Sequence, residues 1–468
     1  MADPRQRVIV IGGGISGLAC AYRLQQLGVA VTVFESADHA GGVIDTNSPD
    51  GFLFESGPQS FQGTETLLAL IRELGLEPNL QVADSKAPRY MVRNKQLQRL
   101  PMSPPSVITS PFLGLRSRWK LISEPMRRTK PPKEDESIAS FVRRKFGNEI
   151  LDYLVAPFVS GVYAGDPEQL SLRAAFPSIH QWEREYGSAI RGAIKSRPDG
   201  TGKTTKPALC SFRKGVAELP RAIAGKIGAS FQNGTSVSAI GRSSPQVDSP
   251  FEVRHIRRGA AKGDTAAAVV IATPAYAAST LINLISPTAA QALLAIAYAP
   301  VAVVASAYER DQIADALFGF GFLIPRKEKI RTLGTVWNSS LFPGRGPEGT
   351  VVMTSFVGGA TDLDILKHSE REISRIVEQD NAALLGIRGA PIATKVWSYS
   401  RAIPQYNLGH GQIVERIRHC QQENPGIFFA GNYLDGPSVG NCVESAYRTA
   451  EAVKGFVEQA RPGAPGLA

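Results

Sequence analysis

Apolar residues recur along this chain in short, unbroken runs that predict buried strands. Val8-Ile9-Val10-Ile11 is one such run and Val29-Ala30-Val31-Thr32-Val33-Phe34 is a second. Runs of this length, bounded by glycine, suit strands covered on both faces. A helical pattern fills the interval up to Leu27-Gly28, so the stretch reads as a βαβ unit. Further strands are predicted at Val269-Val270-Ile271-Ala272, Ala302 to Tyr308, Val351 to Phe356 and Ile427-Phe428-Phe429-Ala430. The rhythm changes between Leu100 and about Pro207. Pro101, Pro104, Pro105, Pro111 and Pro125 break up the first part of that stretch, and Phe112, Leu115, Trp119 and Ile122 follow on one helical face beside Arg116 and Lys120. A separate helical insertion is predicted there. Its Trp-bearing stripe suits a helix lying in a membrane interface, and equally a core-facing helix with a solvated basic flank.

The βαβ unit carries chemistry in its turn. Gly12, Gly14 and Gly17 fit G-x-G-x-x-G, the pattern that holds a dinucleotide pyrophosphate at a helix N-terminus. Gly12 makes the tight turn, Gly14 removes the side chain that would keep the phosphates off the backbone, and Gly17 lets helix and strand pack closely. Glu35 ends the second strand about 20 residues on, where a carboxylate accepts ribose hydroxyls. A 2′-phosphate would meet like charge there, which disfavours NADP and leaves FAD or NAD. Ala40-Gly41-Gly42-Val43 lets backbone pass close to the cofactor, and Gly57-Pro58 makes a turn able to hold a flat ring. Near the other end, Gly431-Asn432 follows a strand and Gly436-Pro437-Ser438-Val439-Gly440-Asn441 leads into a helix. A second helix N-terminus suits the anionic edge of a reduced flavin. A cofactor that touches both chain ends is long, and FAD fits better than NAD.

Composition narrows the class. With 468 residues, two or three domains are expected. No apolar run reaches the length of a spanning helix, and Met1-Ala2-Asp3-Pro4-Arg5 lacks a signal peptide's apolar core, so an intracellular protein, soluble or surface-attached, is expected. Cys20, Cys210, Cys420 and Cys442 have no metal or redox spacing and are expected to be free thiols, and the six His show no metal pair. The net charge of +10 is local. From Lys86 to Ile150 there are 15 Lys and Arg against 5 Asp and Glu, while the rest balances at 37 against 37. No nucleic-acid module accompanies these charges, so nucleic acid is not an expected partner.

The glycine fingerprint, Gly41-Gly42, Gly57-Pro58-Gln59-Ser60, Trp397, Ile403-Pro404-Gln405-Tyr406-Asn407-Leu408-Gly409-His410 and Ala430-Gly431-Asn432 together resemble the protoporphyrinogen oxidase family, part of the monoamine oxidase and phytoene desaturase group of flavoproteins. The resemblance covers essentially the whole chain. Its more specific parts are the Ile-Pro-Gln-Tyr segment and Ser160-Gly161-Val162-Tyr163-Ala164-Gly165-Asp166-Pro167. Val43 stands where monoamine oxidases carry Arg, and Gln59 where the family often has Asn.

The resemblance implies an α/β fold: a Rossmann-type FAD-binding domain, discontinuous in sequence, with an α+β substrate domain and a helical membrane-binding insertion. Segments 1–88, 207–278 and 395–460 would form the FAD domain, 89–100 a pocket segment, 101–206 the insertion and 279–394 the substrate domain. Implied FAD contacts in the first segment are Gly12, Gly13, Gly14, Ile15, Ser16, Gly17, Glu35, Ser36, Gly41, Gly42, Gly57, Pro58, Gln59 and Ser60. Val237 (through its backbone), Thr273, Trp397, Gly431, Asn432, Pro437, Ser438 and Val439 complete them. Implied substrate contacts are Ala164, Gly165, Phe320 and Gly321, with Leu323 and Leu333 sandwiching one pyrrole, Phe356 against another, and Arg89 on a propionate.

The activity implied is oxidation of protoporphyrinogen IX to protoporphyrin IX, with hydride passing from a methylene bridge to flavin N5 and oxygen returned as hydrogen peroxide. Oxidation of coproporphyrinogen III is the nearest alternative. An amine oxidase, a carotenoid desaturase, or a flavin-containing scaffold without turnover follow. No His, Asp or Glu stands out as a general base, so the pyrrole protons are expected to leave to solvent. An anionic membrane surface, on the cytoplasmic side in a bacterium, is the expected docking partner, and a homodimer is compatible with the family.

Overall fold

A computed structural model describes residues 7–101, 106, 110–127, 129–196, 208–243 and 250–459. The terminal residues Met1 to Arg5, the prolines Pro104 and Pro105, and the predicted junction at Lys206 and Pro207 lie outside these residues.

In chain order, the first elements are strand β1 (Val8–Ile11), helix α1 (Ile15–Gln26), strand β2 (Val31–Phe34), and the hairpin β3 (Arg89–Arg93) and β4 (Gln96–Arg99). Helices α2 (Leu115–Ser123) and α3 (Ala156–Tyr163) belong to the insertion, followed by strands β5 (Phe231–Gln232) and β6 (Ala268–Ile271). Then come β7 (Tyr298–Glu309), β8 (Gly321–Leu323), β9 (Thr332–Val336), the short helix α4 (Asn338–Leu341), β10 (Thr350–Gly358), helix α5 (Glu370–Leu385), β11 (Ala393–Pro404), β12 (Ile427–Phe429) and α6 (Val439–Gln459).

Two sheets organise the chain. The first is parallel, in the order β5-β2-β1-β6-β12. Its strands come from three separate stretches of sequence, so this Rossmann-type domain is discontinuous, as the fold class requires. β1, β2 and β6 are buried throughout, the state that unbroken apolar runs demand. Helix α1 packs between this sheet and α6, whose Cys442, Val443, Ala446, Ala450, Val453 and Val457 repeat at helical spacing and face the same core.

The second sheet has seven strands in the order β11-β7-β10-β9-β8-β3-β4. It mixes senses, with β8 and β3 parallel and the remaining pairs antiparallel. β7 is apolar on both faces because both are covered. Ala302 and Val304 pack under α5, while Ala305 and Ala307 meet Phe52 and Phe54 of the nucleotide-binding domain. β11 belongs to this sheet, so the strand runs across the boundary expected at 394 and carries Trp397 with it.

The insertion is helical in its described parts. Phe112 differs from the expected stripe: it precedes α2, is buried, and lies under Arg93, whose guanidinium is 5.5 Å from its ring. The remaining stripe is exposed. Some of the basic residues of this region are paired, since Arg93 binds Glu149 at 2.8 Å, Arg144 binds Glu136 at 2.7 Å, and the buried Lys145 reaches Glu183 at 2.8 Å. Among the described residues no helix is long and apolar enough to cross a membrane.

Candidate active site

The glycine turn between β1 and α1 is built to the limits of steric contact. Gly12 has φ +111°, and a Cβ on it would lie 2.9 Å from the Ala272 carbonyl. A Cβ on Gly17 would lie 1.9 Å from the Gly12 carbonyl, so helix and strand could not keep their spacing with any larger residue. Gly13 is closed in by Glu35 and Phe231. Gly14 is different. A Cβ there would meet nothing within 4 Å, so the space over it is open. Gly14 caps α1 without a side-chain hydrogen bond, and the first-turn N–H groups of Ile15, Ser16 and Gly17 have no helical acceptor.

Around this cradle the other nucleotide-side residues gather. Glu35 accepts from Gly13 N at 2.5 Å through one oxygen and from Ala37 N at 2.7 Å and Ser36 Oγ at 3.1 Å through the other. Gly41 N donates to Gly13 O at 2.8 Å, and a Cβ on Gly42 would sit 3.5 Å from Gly14 Cα, so the paired glycines lie directly against the fingerprint. Val237 belongs to a separate three-stranded antiparallel sheet whose first residue, Thr235, donates its N–H to Glu35 O. Thr273 follows β6 beside Gly12, and its hydroxyl is buried without a partner among the described residues. An open cradle at the N-terminus of a helix, with a buried hydroxyl at its edge that finds no partner among the described residues, fits a dinucleotide.

The loop at 57–60 lies next along the same path. A Cβ on Gly57 would meet Val43 O at 2.3 Å, which presses this turn onto the segment after Gly41-Gly42. Gln59 Nε2 donates to Gly57 O at 2.9 Å, and Gln59 Oε1 accepts from Asn338 of α4 at 2.8 Å. Pro58 and Ser60 are half-buried in the same turn. At the far end of the chain, α6 begins at Val439, with Ser438 Oγ accepting from Asn441 N at 3.2 Å. Burial raises the Cys442 thiol to about 11, an effect offset in part by the Ser16 hydroxyl, so the start of α6 meets the start of α1. Gly431 and Asn432 are held by Tyr406, whose hydroxyl donates to Asn432 O and accepts from Gly436 N, both at 2.7 Å. His410 stacks on Tyr406 at 4.2 Å, and burial lowers its pKa to about 4, so the imidazole is neutral. Pro437 lies in the same loop.

The larger sheet presents one face toward this region. Residues directly opposite one another in paired strands share a face. Register therefore aligns Trp397 (β11), Val303 (β7), Phe356 (β10), Gly334 (β9) and Leu323 (β8), with Gly321 and Arg89 on the same face two residues along. Leu333, beside a bulge in β9, packs with Ala164, Val301 and Val303, and Phe356 and Trp397 lie against that cluster. The insertion covers this face, and a Cβ on Gly161 of α3 would lie 3.0 Å from Leu323. Ala164 ends α3 with φ +46°, uncommon for a residue with a side chain, and its carbonyl accepts from Ala360 N at 2.7 Å. Gly165 follows, too close to Leu170 and Gln405 for a side chain.

Arg89 and Phe320 stand apart from that apolar cluster. Arg89 is exposed at the start of β3, its guanidinium 5.2 Å from the Phe320 ring, and it makes no ion pair among the described residues. Residues that sequence patterns did not single out complete the junction. Glu55 precedes the 57–60 loop, is buried, and accepts from Thr46 Oγ1 at 2.6 Å and Val216 N at 2.9 Å, with Arg345 3.6 Å away. Only the apolar surroundings of Glu55, in Phe52-Leu53-Phe54-Glu55, could have signalled a buried acid.

Comparison with known proteins agrees with this geometry. The model of the flavin containing amine oxidoreductase family matches residues 15–454. Protoporphyrinogen oxidase 1 of spinach chloroplasts is 34% identical over 96% of this chain and 84% of its own. Coproporphyrinogen III oxidase of Bacillus subtilis is 28% identical over 95% of this chain and 97% of its own. Among solved structures, one from Exiguobacterium sp. 255-15 superposes with a TM-score of 0.81 at 22% identity, covering 96% and 98% of the two chains. Cyclohexylamine oxidase from Brevibacterium oxydans gives 0.70 at 18%, covering 97% and 99%. The chain belongs to the flavin containing amine oxidoreductase family and, within it, to the protoporphyrinogen oxidases, and FAD is its cofactor.

Proposed function

We propose that this chain oxidises protoporphyrinogen IX to protoporphyrin IX in tetrapyrrole synthesis, with molecular oxygen as acceptor. The observation that carries the reading is the face of the seven-stranded sheet, whose central strip of Trp397, Val303, Phe356 and Leu323 is apolar, with Arg89, which makes no ion pair among the described residues, at one end. An apolar macrocycle with both propionates on one edge matches that polarity. Coproporphyrinogen III instead carries a propionate on every pyrrole, so no edge of it is free of carboxylate to lie along an apolar strip.

When bound, FAD supplies the two-electron oxidation, three rounds of which convert porphyrinogen to porphyrin with three oxygen molecules reduced to hydrogen peroxide. The protein's own part is placement. Gly12 to Gly17 and Glu35 would hold the nucleotide, the start of α6 would offer its N–H groups to the flavin, and Trp397, Phe356, Leu333 and Leu323 would keep water from the macrocycle. Arg89 fixes one carboxylate edge. His410 is held neutral and is engaged with the Tyr433 carbonyl at 3.0 Å, which suits it to structure and leaves pyrrole protons to reach solvent.

Docking to an anionic membrane belongs to the same reading. Leu115, Trp119, Ile122 and Met126 are 80%, 68%, 47% and 80% exposed along and just beyond α2, with Arg116 and Lys120 beside them. A core-facing helix would have buried this stripe, so its exposure supports a lipid interface. The function is tested by turnover of the two porphyrinogens on the purified holoenzyme. Protoporphyrinogen IX should give the higher kcat/KM, and a preference for coproporphyrinogen III would reverse the assignment.

A further inference from the structure

Asn338 opens α4 directly after β9 and is 3% exposed. A chain of hydrogen bonds fixes which way its carboxamide points. Gln59 Nε2 donates to Gly57 O at 2.9 Å and to Glu55 O at 3.3 Å. Carbonyls only accept, so the Gln59 nitrogen must face them and its oxygen must face Asn338. Asn338 Nδ2 therefore donates to that oxygen, at 2.8 Å. Asn338 Oδ1 is left turned away from Gln59, buried, with no donor among the described residues. A buried carbonyl oxygen without a donor is rare and costly, and in a binding site it points to a donor on the ligand.

Its surroundings say which ligand. Val336, two residues earlier, pairs with Gly321 and Thr354 on the apolar face, and Trp337 N donates to Phe320 O. The carboxamide thus stands where that face meets the 57–60 loop. An apolar strip can cover the face of a macrocycle but cannot set its rotation, and a porphyrinogen's ring interior offers N–H donors only. We infer that Asn338 Oδ1 accepts a hydrogen bond from a pyrrole N–H of the bound porphyrinogen and sets which methylene bridge is presented for oxidation. The inference rests on the porphyrinogen reading. The longer Gln59, where the family often has Asn, is tied back to its own loop and leaves this acceptor to Asn338.

The test compares holoenzyme carrying Asn338→Ala, Gln59→Ala or both, mixed anaerobically with protoporphyrinogen IX while flavin absorbance is followed, with FAD content and visible spectrum recorded before substrate. Asn338→Ala should weaken porphyrinogen binding or slow bleaching by roughly 10- to 100-fold, with the substrate-free spectrum unchanged. It should still cost several-fold in the Gln59→Ala background, where the tie between the two residues is already gone. No further loss in that background would reduce Asn338 to a tether for Gln59 and overturn the inference. A spectral shift before substrate would overturn it too, by giving the oxygen to the flavin. If Asn338→Ala does not accumulate, Asn338→Asp, which keeps an oxygen, should bind porphyrinogen more tightly than Asn338→Leu, and equal binding would sink the idea. Failure of the unmodified enzyme to be bleached by any porphyrinogen would instead refute the proposed function, a result distinct from all of these.

Discussion

Replacing Arg89 by Ala separates substrate recognition from folding. The side chain is exposed, lies 5.2 Å from the Phe320 ring and makes no ion pair among the described residues, so its removal leaves no buried charge behind. What it stands to lose is a charge-assisted hydrogen bond to a propionate, worth about 1.5–3 kcal/mol. That corresponds to a fall in kcat/KM of roughly 10- to 150-fold. Because the propionate is remote from the carbon being oxidised, most of the loss should appear in KM, unless the contact also sets the tilt of the macrocycle. Steady-state oxygen consumption with protoporphyrinogen IX measures it, alongside FAD content, which should not change. Arg89→Lys should lie between, since ammonium keeps the charge and loses the two-pronged fit. The decisive control is a porphyrinogen whose propionates are esterified. Arg89→Ala should matter little for that compound, and an equal loss on ester and free acid would show that Arg89 acts through packing.

Three other expectations follow from the geometry. Gly14→Val should give folded but colourless protein, since a Cβ there meets nothing within 4 Å and so enters the open cradle, and normal FAD content in purified Gly14→Val would refute the placement of the pyrophosphate. Binding to anionic vesicles should weaken with salt and fall further in Leu115→Ser with Trp119→Ser, and Arg116→Ser with Lys120→Ser should add a loss on the order of 1 kcal/mol per charge; sedimentation that ignores both pairs would remove the membrane from the reading. Burial pushes the Glu55 carboxyl up to about 7 from 4.5, against the opposing pull of Thr46, Val216 and Arg345 and with Asp45 adding to it. Its folded pKa lies above its unfolded one, so the folded state holds the proton more tightly, and stability present below about 4.5 is lost as pH rises toward about 7. The loss is on the order of 3 kcal/mol. Thermal unfolding across that window should show the slope, and Glu55→Gln should flatten it.

The parts legible in the sequence are those where one local stretch encodes strand, turn and helix together. The run from Val8 to Glu35 is such a stretch, because the glycine spacing sits between two apolar strand runs that are themselves local, even though Ala272 and Phe231, which close in on Gly12 and Gly13, come from far along the chain. The terminal strand and the helix from Val439 were legible for the same cause. The α2 stripe was legible as a pattern, while its direction was not, since amphipathicity alone does not say whether lipid or core covers it. Phe112 was misplaced because helix periodicity extrapolated backward past Gly114, where the chain instead buries the ring under Arg93. A charge count does not distinguish solvated from paired residues, and Arg144 and Lys145 are in fact held by Glu136 and Glu183 inside the insertion. The Asn338–Gln59 contact, and the parallel pairing of β3 with β8, join residues hundreds of positions apart, and no local rule carries such information.

The order of strands in the parallel sheet also bears on how the enzyme is made. β1 and β2 leave the ribosome early, but the outer face of α1 and the far edge of β6 wait for α6 and β12, which emerge hundreds of residues later. At synthesis rates of about 5–20 residues per second, the first half of the cradle is exposed for roughly 20–80 s. Cofactor capture is then among the last events of maturation, and the long sequence separations of the sheet make that step slow. A lesion in the last helix would consequently reach the cell as a failure to acquire FAD, far in sequence from the glycines that grip it.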